Sequence, residues 1–198
     1  MVTPRNTDED VYTGAGPWPV RAVRRLEGAT GLDGVVRLLG PAATALAGSR
    51  RLGPLLRGDW MGHAVHPVAV MAPLGLFGSA TVVDVVGGDG SESVARTLTL
   101  AGLLTLSPAV LTGLTEWAAT EPRESRVGVV HAATNTLAAS LFLASYLARR
   151  RHHGVGVGLG VVGNLVAGVG GHLGGHLAAV RHVDSRHPSF DEEDRPRV

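Results

Sequence analysis

The chain has 198 residues and a net charge of +1, which gives no reason to expect a nucleic-acid partner. It has no cysteine, which excludes disulfides, thiolate zinc sites, cysteine-held iron–sulfur clusters and c-type haem attachment within the chain. Its apolar share of 44% is modest, but the distribution is uneven: residues 63–180 hold nearly all the long apolar runs, while 1–62 and 181–198 are polar and Arg-rich.

Residues 1–17 read as a disordered tail, being polar, aperiodic and interrupted by Pro4, Gly14, Gly16 and Pro17. No apolar stretch of the signal-peptide kind follows the first twelve residues, so insertion is expected to start from an internal segment. Residues 18–62 carry short amphipathic helices. Val20, Val23 and Leu26 fall at helical spacing among Arg21, Arg24 and Arg25, and Gly40-Pro41 and Gly53-Pro54 are expected to break the segment. Such helices either lie on lipid headgroups or form a small cap on the membrane domain.

Four segments then run 18 or more residues without a formal charge, or nearly so: His66 to about Val86, about Thr97 to Thr115, Val127 to Ala148, and Gly154 to Val180. A helix needs about 20 apolar residues to cross the hydrocarbon core. The short connections, Gly87–Arg96, Glu116–Arg126 and Arg149–His153, force antiparallel neighbours. The expected fold is therefore all-α, an antiparallel four-helix membrane bundle over 63–180, followed by a polar tail over 181–198. The alternating Gly154, Gly156, Gly158 and Gly160 suit a helix only where the backbone must satisfy itself. Gly170-x-x-x-Gly174 and Gly171-x-x-x-Gly175 permit close approach of another helix or a flat ligand. Pro67 suits a first turn, and Pro73 and Pro108 predict kinks.

An even number of spans puts both termini on one side. That side carries Arg50, Arg51, Arg57, Arg123, Arg126, Arg181, Arg186, Arg195 and Arg197, against Arg96 and Arg149–Arg151 opposite, which favours cytoplasmic termini in the plasma membrane. Trp60 and Trp117 sit at boundaries on the termini side as interfacial anchors.

The same topology gathers chemistry. His63 and His66 open the first span, Glu116 closes the second, His131 lies near the start of the third, and His172 and His176 lie near the end of the fourth. All six are expected in one layer on the termini side. Ionisable groups inside a span are costly and are functional candidates by default. His66, His131, His172 and His176, with Glu116 as ligand or partner, are candidates for b-type haem. His63, His66, His131, His172 and His176 are the alternative set for a non-haem metal, Fe, Cu or Zn. The bland alternatives are interhelical hydrogen bonds for His131, Asn135 and Asn164, headgroup contacts for His63 and His66, and solvation for His152, His153, His182 and His187. Asp84 either bonds a neighbouring helix or marks a proton path.

At these residues the chain resembles the DUF2231 transmembrane family. The likeness lies in Gly62-His63-Ala64-Val65-His66-Pro67, Ala72-Pro73-Leu74-Gly75, Asp84, Leu114-Thr115-Glu116-Trp117, Arg126 through Thr136, and Gly171 through Leu177. It covers about residues 50–180. Two departures stand out: Ala64 follows His63 where the family tends to repeat His-Pro, and Glu116 stands where Asp is commoner. The resemblance implies a bacterial four-span protein and a redox setting, since similar domains occur joined to Rieske-type iron–sulfur domains.

The leading expectation is a redox or electron-transfer module, with the lipid bilayer, a Rieske-type iron–sulfur protein or a quinone as partners. The alternative is a non-catalytic membrane subunit whose histidines are structural and whose Arg-rich helices dock a partner. A proton or solute conduit would need a homo-oligomer. No hydrolase or phosphate-loop motif occurs.

Overall fold

The computed structural model describes residues 16–88 and 90–183. The expected tail over 1–17 falls almost wholly outside them, as do Arg186, His187, Arg195 and Arg197. In chain order come α1 (Trp18–Glu27), a 3-10 turn (Thr30–Leu32), α2 (Asp33–Ala47), α3 (Leu52–Arg57), α4 (His66–Ala69), α5 (Met71–Val86), α6 (Ser91–Leu104), α7 (Leu106–Trp117), α8 (Pro122–Ala148), α9 (His153–Gly175) and a final π-helical turn (His176–Val180). Among the described residues there is no strand.

Among the described residues four units are long and apolar enough to cross a membrane: His66–Val86, Ser91–Trp117, Pro122–Ala148 and His153–Val180. The second and third begin earlier than the apolar runs suggest, because polar first turns, Ser91–Arg96 and Pro122–Arg126, extend the helices beyond the hydrocarbon. The first two spans are each broken once. α4 gives way to α5 at Val70, three residues before Pro73, and α6 gives way to α7 at Thr105, three residues before Pro108. Proline lacks the N–H that would bond the carbonyl four residues back, Ala69 and Leu104 respectively, so each break falls beside its orphaned carbonyl. At the second break Thr105 Oγ1 donates to the Gly102 carbonyl at 2.9 Å.

Two expectations about the N-terminal segment need correction. Gly40-Pro41 does not break it: Pro41 lies inside α2. Gly53-Pro54 falls in the first turn of α3, where missing intrahelical N–H bonds cost nothing, so it starts a helix. The segment packs as a cap. α1 lies on α8, and α2 lies on α7 and α8. Val23 buries against Val127 and Leu173, with Leu26, Val130 and Leu177 around them. Removing a Val side chain from water contributes about 2 kcal/mol.

The bundle consists of two helix pairs, α5 with α6 and α8 with α9, joined mainly by α6 on α8 and α5 on α9. Midway, Phe77 and Phe142 stack with ring centroids 3.6 Å apart and planes at 4°. Ala138 and Ala167 complete this core. Towards the termini the pairs are less directly joined. There α4 packs on α7 and α5. The cap and a pair of imidazoles lie at this level.

Candidate functional site

The expected single polar layer resolves into separate places. The innermost is an imidazole pair. His66, first residue of α4, hydrogen-bonds through Nδ1 to the Ala109 carbonyl of α7 at 2.9 Å. His131 on α8 does the same to the Gly170 carbonyl of α9 at 2.9 Å. Each ring is thus tethered within its own helix pair, and the two stand across the seam with centroids 6.4 Å apart and planes at 79°. A carbonyl only accepts, so Nδ1 carries the proton in both rings. The neutral imidazole then presents its lone pair at Nε2, the usual arrangement of an oriented metal-binding histidine. Asn135 braces His131: its Nδ2 donates to the His131 carbonyl at 2.9 Å and lies 3.3 Å from both ring nitrogens.

The rings fill space made by glycines. A Cβ on Gly113 would stand 2.7 Å from His66 Cε1, and one on Gly174 would stand 2.9 Å from His131 Cε1. The glycines near His172 and His176 were expected to make room for a flat ligand; Gly174 instead seats His131, and Gly170 seats Asn135.

His176 belongs to an outer place. It lies six residues beyond Gly170, about 9 Å further along the helix. Its Nε2 donates to Glu27 Oε1 at 2.9 Å, and Arg181 grips the same carboxylate at 2.6 and 2.7 Å. Glu27 was not singled out from the sequence, although a signal existed: it follows Val23 by four residues and so lies on the apolar face of an Arg-rich helix. Burial pushes the Glu27 carboxyl up, but the hydrogen bonds from Arg181 and His176 outweigh it and hold the group below its usual range. A depressed carboxylate contributes stability above its unfolded value of about 4.5, and the contribution is lost as pH falls through the folded value. Acidification below about pH 4.5 should therefore loosen α1 from the bundle before the spans separate. Hydrogen exchange of α1 amides checks this: Glu27→Gln should show the faster exchange already at neutral pH, with the spans unaffected.

The remaining candidates lie apart from the pair. His172 is exposed on the outer side of α9 and joins neither group. His63 is also exposed; among the described residues its ring bonds the neighbouring Ala64 carbonyl at 3.0 Å. Glu116 is buried on the last turn of α7 and lines, with Glu121, Glu124, Arg181 and His182, a cavity of about 250 Å³. Among the described residues no three His, Asp or Glu side chains converge as a metal cluster. Of the five histidines, His66 and His131 stand together, His176 lies beyond their level by helical rise, and His63 and His172 are exposed.

The family described as Predicted membrane protein (DUF2231) matches residues 62–187. The chain belongs to the DUF2231 family. No curated protein and no solved structure matches it. The match begins at Gly62, so α1 to α3, which supply Glu27 and Asp33, precede the DUF2231 region.

At the far end of the DUF2231 bundle Asp84 bonds a neighbouring helix, one of its two expected roles, through a partner that was not expected. Asp84 on α5 receives both terminal nitrogens of Arg149, at 2.7 and 2.5 Å, with each side chain only 2% exposed. Arg149 had been grouped with Arg150 and Arg151 as a far-side basic run, yet it is buried and paired. Gly156 and Gly160 explain how: a Cβ on Gly156 would meet Arg149 Cγ at 2.5 Å, and one on Gly160 would meet Nη2 at 3.4 Å. Ser145 Oγ donates to the Gly156 carbonyl at 2.5 Å and lies 3.3 Å from Arg149 Nε. His153, expected in solvent, is half-buried and 3.9 Å from Asp84 Oδ1. Asn164 acts as an interhelical bridge, donating to Thr81 Oγ1 at 2.8 Å.

Proposed function

We propose that the chain is a redox or electron-transfer module of the bacterial plasma membrane, with both termini cytoplasmic, in which His66 and His131 hold a metal centre. One observation carries this reading: two imidazoles from different helix pairs, 6.4 Å apart, each with Nδ1 anchored on a carbonyl. Two imidazoles on opposite sides of one ion, at about 2.0 Å per bond, stand roughly 6 Å apart centre to centre. A single Cu or Fe ion, or the iron of a b-type haem, satisfies that spacing. Haem additionally requires the seam between the pairs to open, since Gly113 and Gly174 are occupied by the rings themselves. The other two donors of a Zn site would have to come from outside the pair. Glu116, one helical turn beyond Thr112, which is 3.4 Å from His66 Nδ1, is the nearest candidate partner on α7. A Rieske-type iron–sulfur protein and a membrane quinone are the exchange partners that suit such a centre.

The test is the absorption spectrum and elemental content of the purified protein. A Soret or charge-transfer band, or a stoichiometric metal, is expected. It should vanish in His66→Ala and in His131→Ala and persist in His172→Ala. Colourless, metal-free protein obtained from metal- and haem-replete cells overturns the reading.

A second reading, the non-catalytic subunit, draws on the same hydrogen bonds. His66 ties α4 to α7, and His131 ties α8 to α9. On that reading the substitutions lower thermal stability and leave every spectrum unchanged.

A further inference from the structure

At the termini face, between α1, the first turn of α8 and the exit of α9, lies a cavity of about 580 Å³. Arg24, Thr30, Arg123, Arg126, Arg181 and Glu27 line it. The charges there do not cancel. Glu27 is engaged by Arg181 and His176. Asp33 engages Arg126 at 2.6 and 3.1 Å, and Arg126 also donates to the Glu27 carbonyl at 2.8 Å. Glu124 approaches Arg181 at 3.8 Å. Among the described residues Arg24 and Arg123 make no ion pair, and both are exposed. Two guanidinium groups, from separate elements, therefore remain unneutralised at one cavity.

We propose that this cavity binds a phosphate group, gripped by Arg24 and Arg123 and supported by Thr30. Three features favour phosphate over an unspecific halo of counterions. The first is form: guanidinium forks on two walls match a tetrahedral anion with several acceptor oxygens. The second is rigidity. Arg126 and Arg181 are held by carboxylates, so the cavity floor is organised before any ligand arrives. The third is that Arg123 stands in the first turn of α8, a helix of 27 residues, where the first amides have no partner within the helix and favour an anion nearby. The depth is informative too. Arg126 directly precedes the apolar run beginning at Val127, and Arg181 directly follows Val180, so the cavity sits at headgroup level. The phosphate can thus come from an acidic phospholipid or from a soluble phosphate ester.

The experiment uses the full chain in nanodiscs. One arm compares phosphatidylcholine alone with phosphatidylcholine containing phosphatidic acid, reading retained lipid by native mass spectrometry. The other titrates glycerol 3-phosphate and inorganic phosphate into neutral nanodiscs by calorimetry. Saturable binding in either arm supports the site, and the arm that responds identifies the source. The double variant Arg24→Gln/Arg123→Gln should weaken binding tenfold or more. Arg50→Gln/Arg51→Gln, an equal loss of exposed charge on the same side, should leave it within twofold. No saturable binding in either arm, or equal weakening by both double variants, overturns the proposal. Hydrogen exchange of α1 in each variant confirms that the cap stays docked.

Discussion

Asp84→Asn should destabilise the folded bundle by about 3–5 kcal/mol, because it leaves the Arg149 guanidinium buried at 2% exposure with no counter-charge. Arg149→Gln should cost a similar amount for the converse reason. The double variant should cost less than the sum of the two, by roughly 1–3 kcal/mol, since neither charge then remains to be solvated. Exchanging the partners should not rescue stability. Gly156 and Gly160 clear a groove for an arginine rooted on α8, and no equivalent groove serves an arginine rooted at position 84. The measurement is reversible unfolding in detergent micelles across the four-member cycle. Single variants that cost under 1 kcal/mol and add without coupling would show that water, not Asp84, solvates Arg149.

The second large effect lies at the centre of the bundle. Gly102→Ala should destabilise by about 1–3 kcal/mol although it improves helix propensity. A Cβ there would stand 2.5 Å from Phe77 Cε1. The ring cannot retreat, because it is stacked on Phe142 at 3.6 Å, and Phe142 is itself backed by Gly163, where a Cβ would stand 2.8 Å from its Cε1. Four layers, glycine, ring, ring, glycine, therefore set the distance between the helix pairs. Replacing Phe77 by the smaller Leu alongside Gly102→Ala should recover part of the loss. Gly75→Ala is the control: nothing lies within 4 Å of its added Cβ, so stability should hold or rise slightly. Equal melting temperatures for Gly102→Ala and Gly75→Ala would show that the stack yields freely.

These two sites also mark where reading the chain alone stops. Four uncharged runs with short connections were enough for the spans, their antiparallel order and the general side on which His66, His131 and Glu116 lie. The reason is that lipid leaves a backbone of that length and polarity almost no choice but a helix. The proline breaks at Val70 and Thr105 were legible for a similar reason, since a missing N–H acts locally. The cap was legible as amphipathic helices, with packing on the bundle one of two readings; which held was not, because Val23 meets Val127 and Leu173 only after the chain has crossed the membrane and returned.

Side-chain partnership was not legible, because it depends on rotation about each helix axis as well as depth. A turn and a half of α9 separates His176 from the level of His131, and helix phase turns His172 outward while its neighbour Leu173 faces the core. The same phase buries Arg149 against Asp84 and leaves Arg150 exposed. Composition and hydropathy thus determined a four-span all-α membrane chain with polar groups towards one face, since those properties are read along one dimension. Which imidazoles meet, which arginine is neutralised and which glycines receive a neighbour's side chain were decided only by tertiary packing, where shifting a residue by one position rotates it about 100° around its helix.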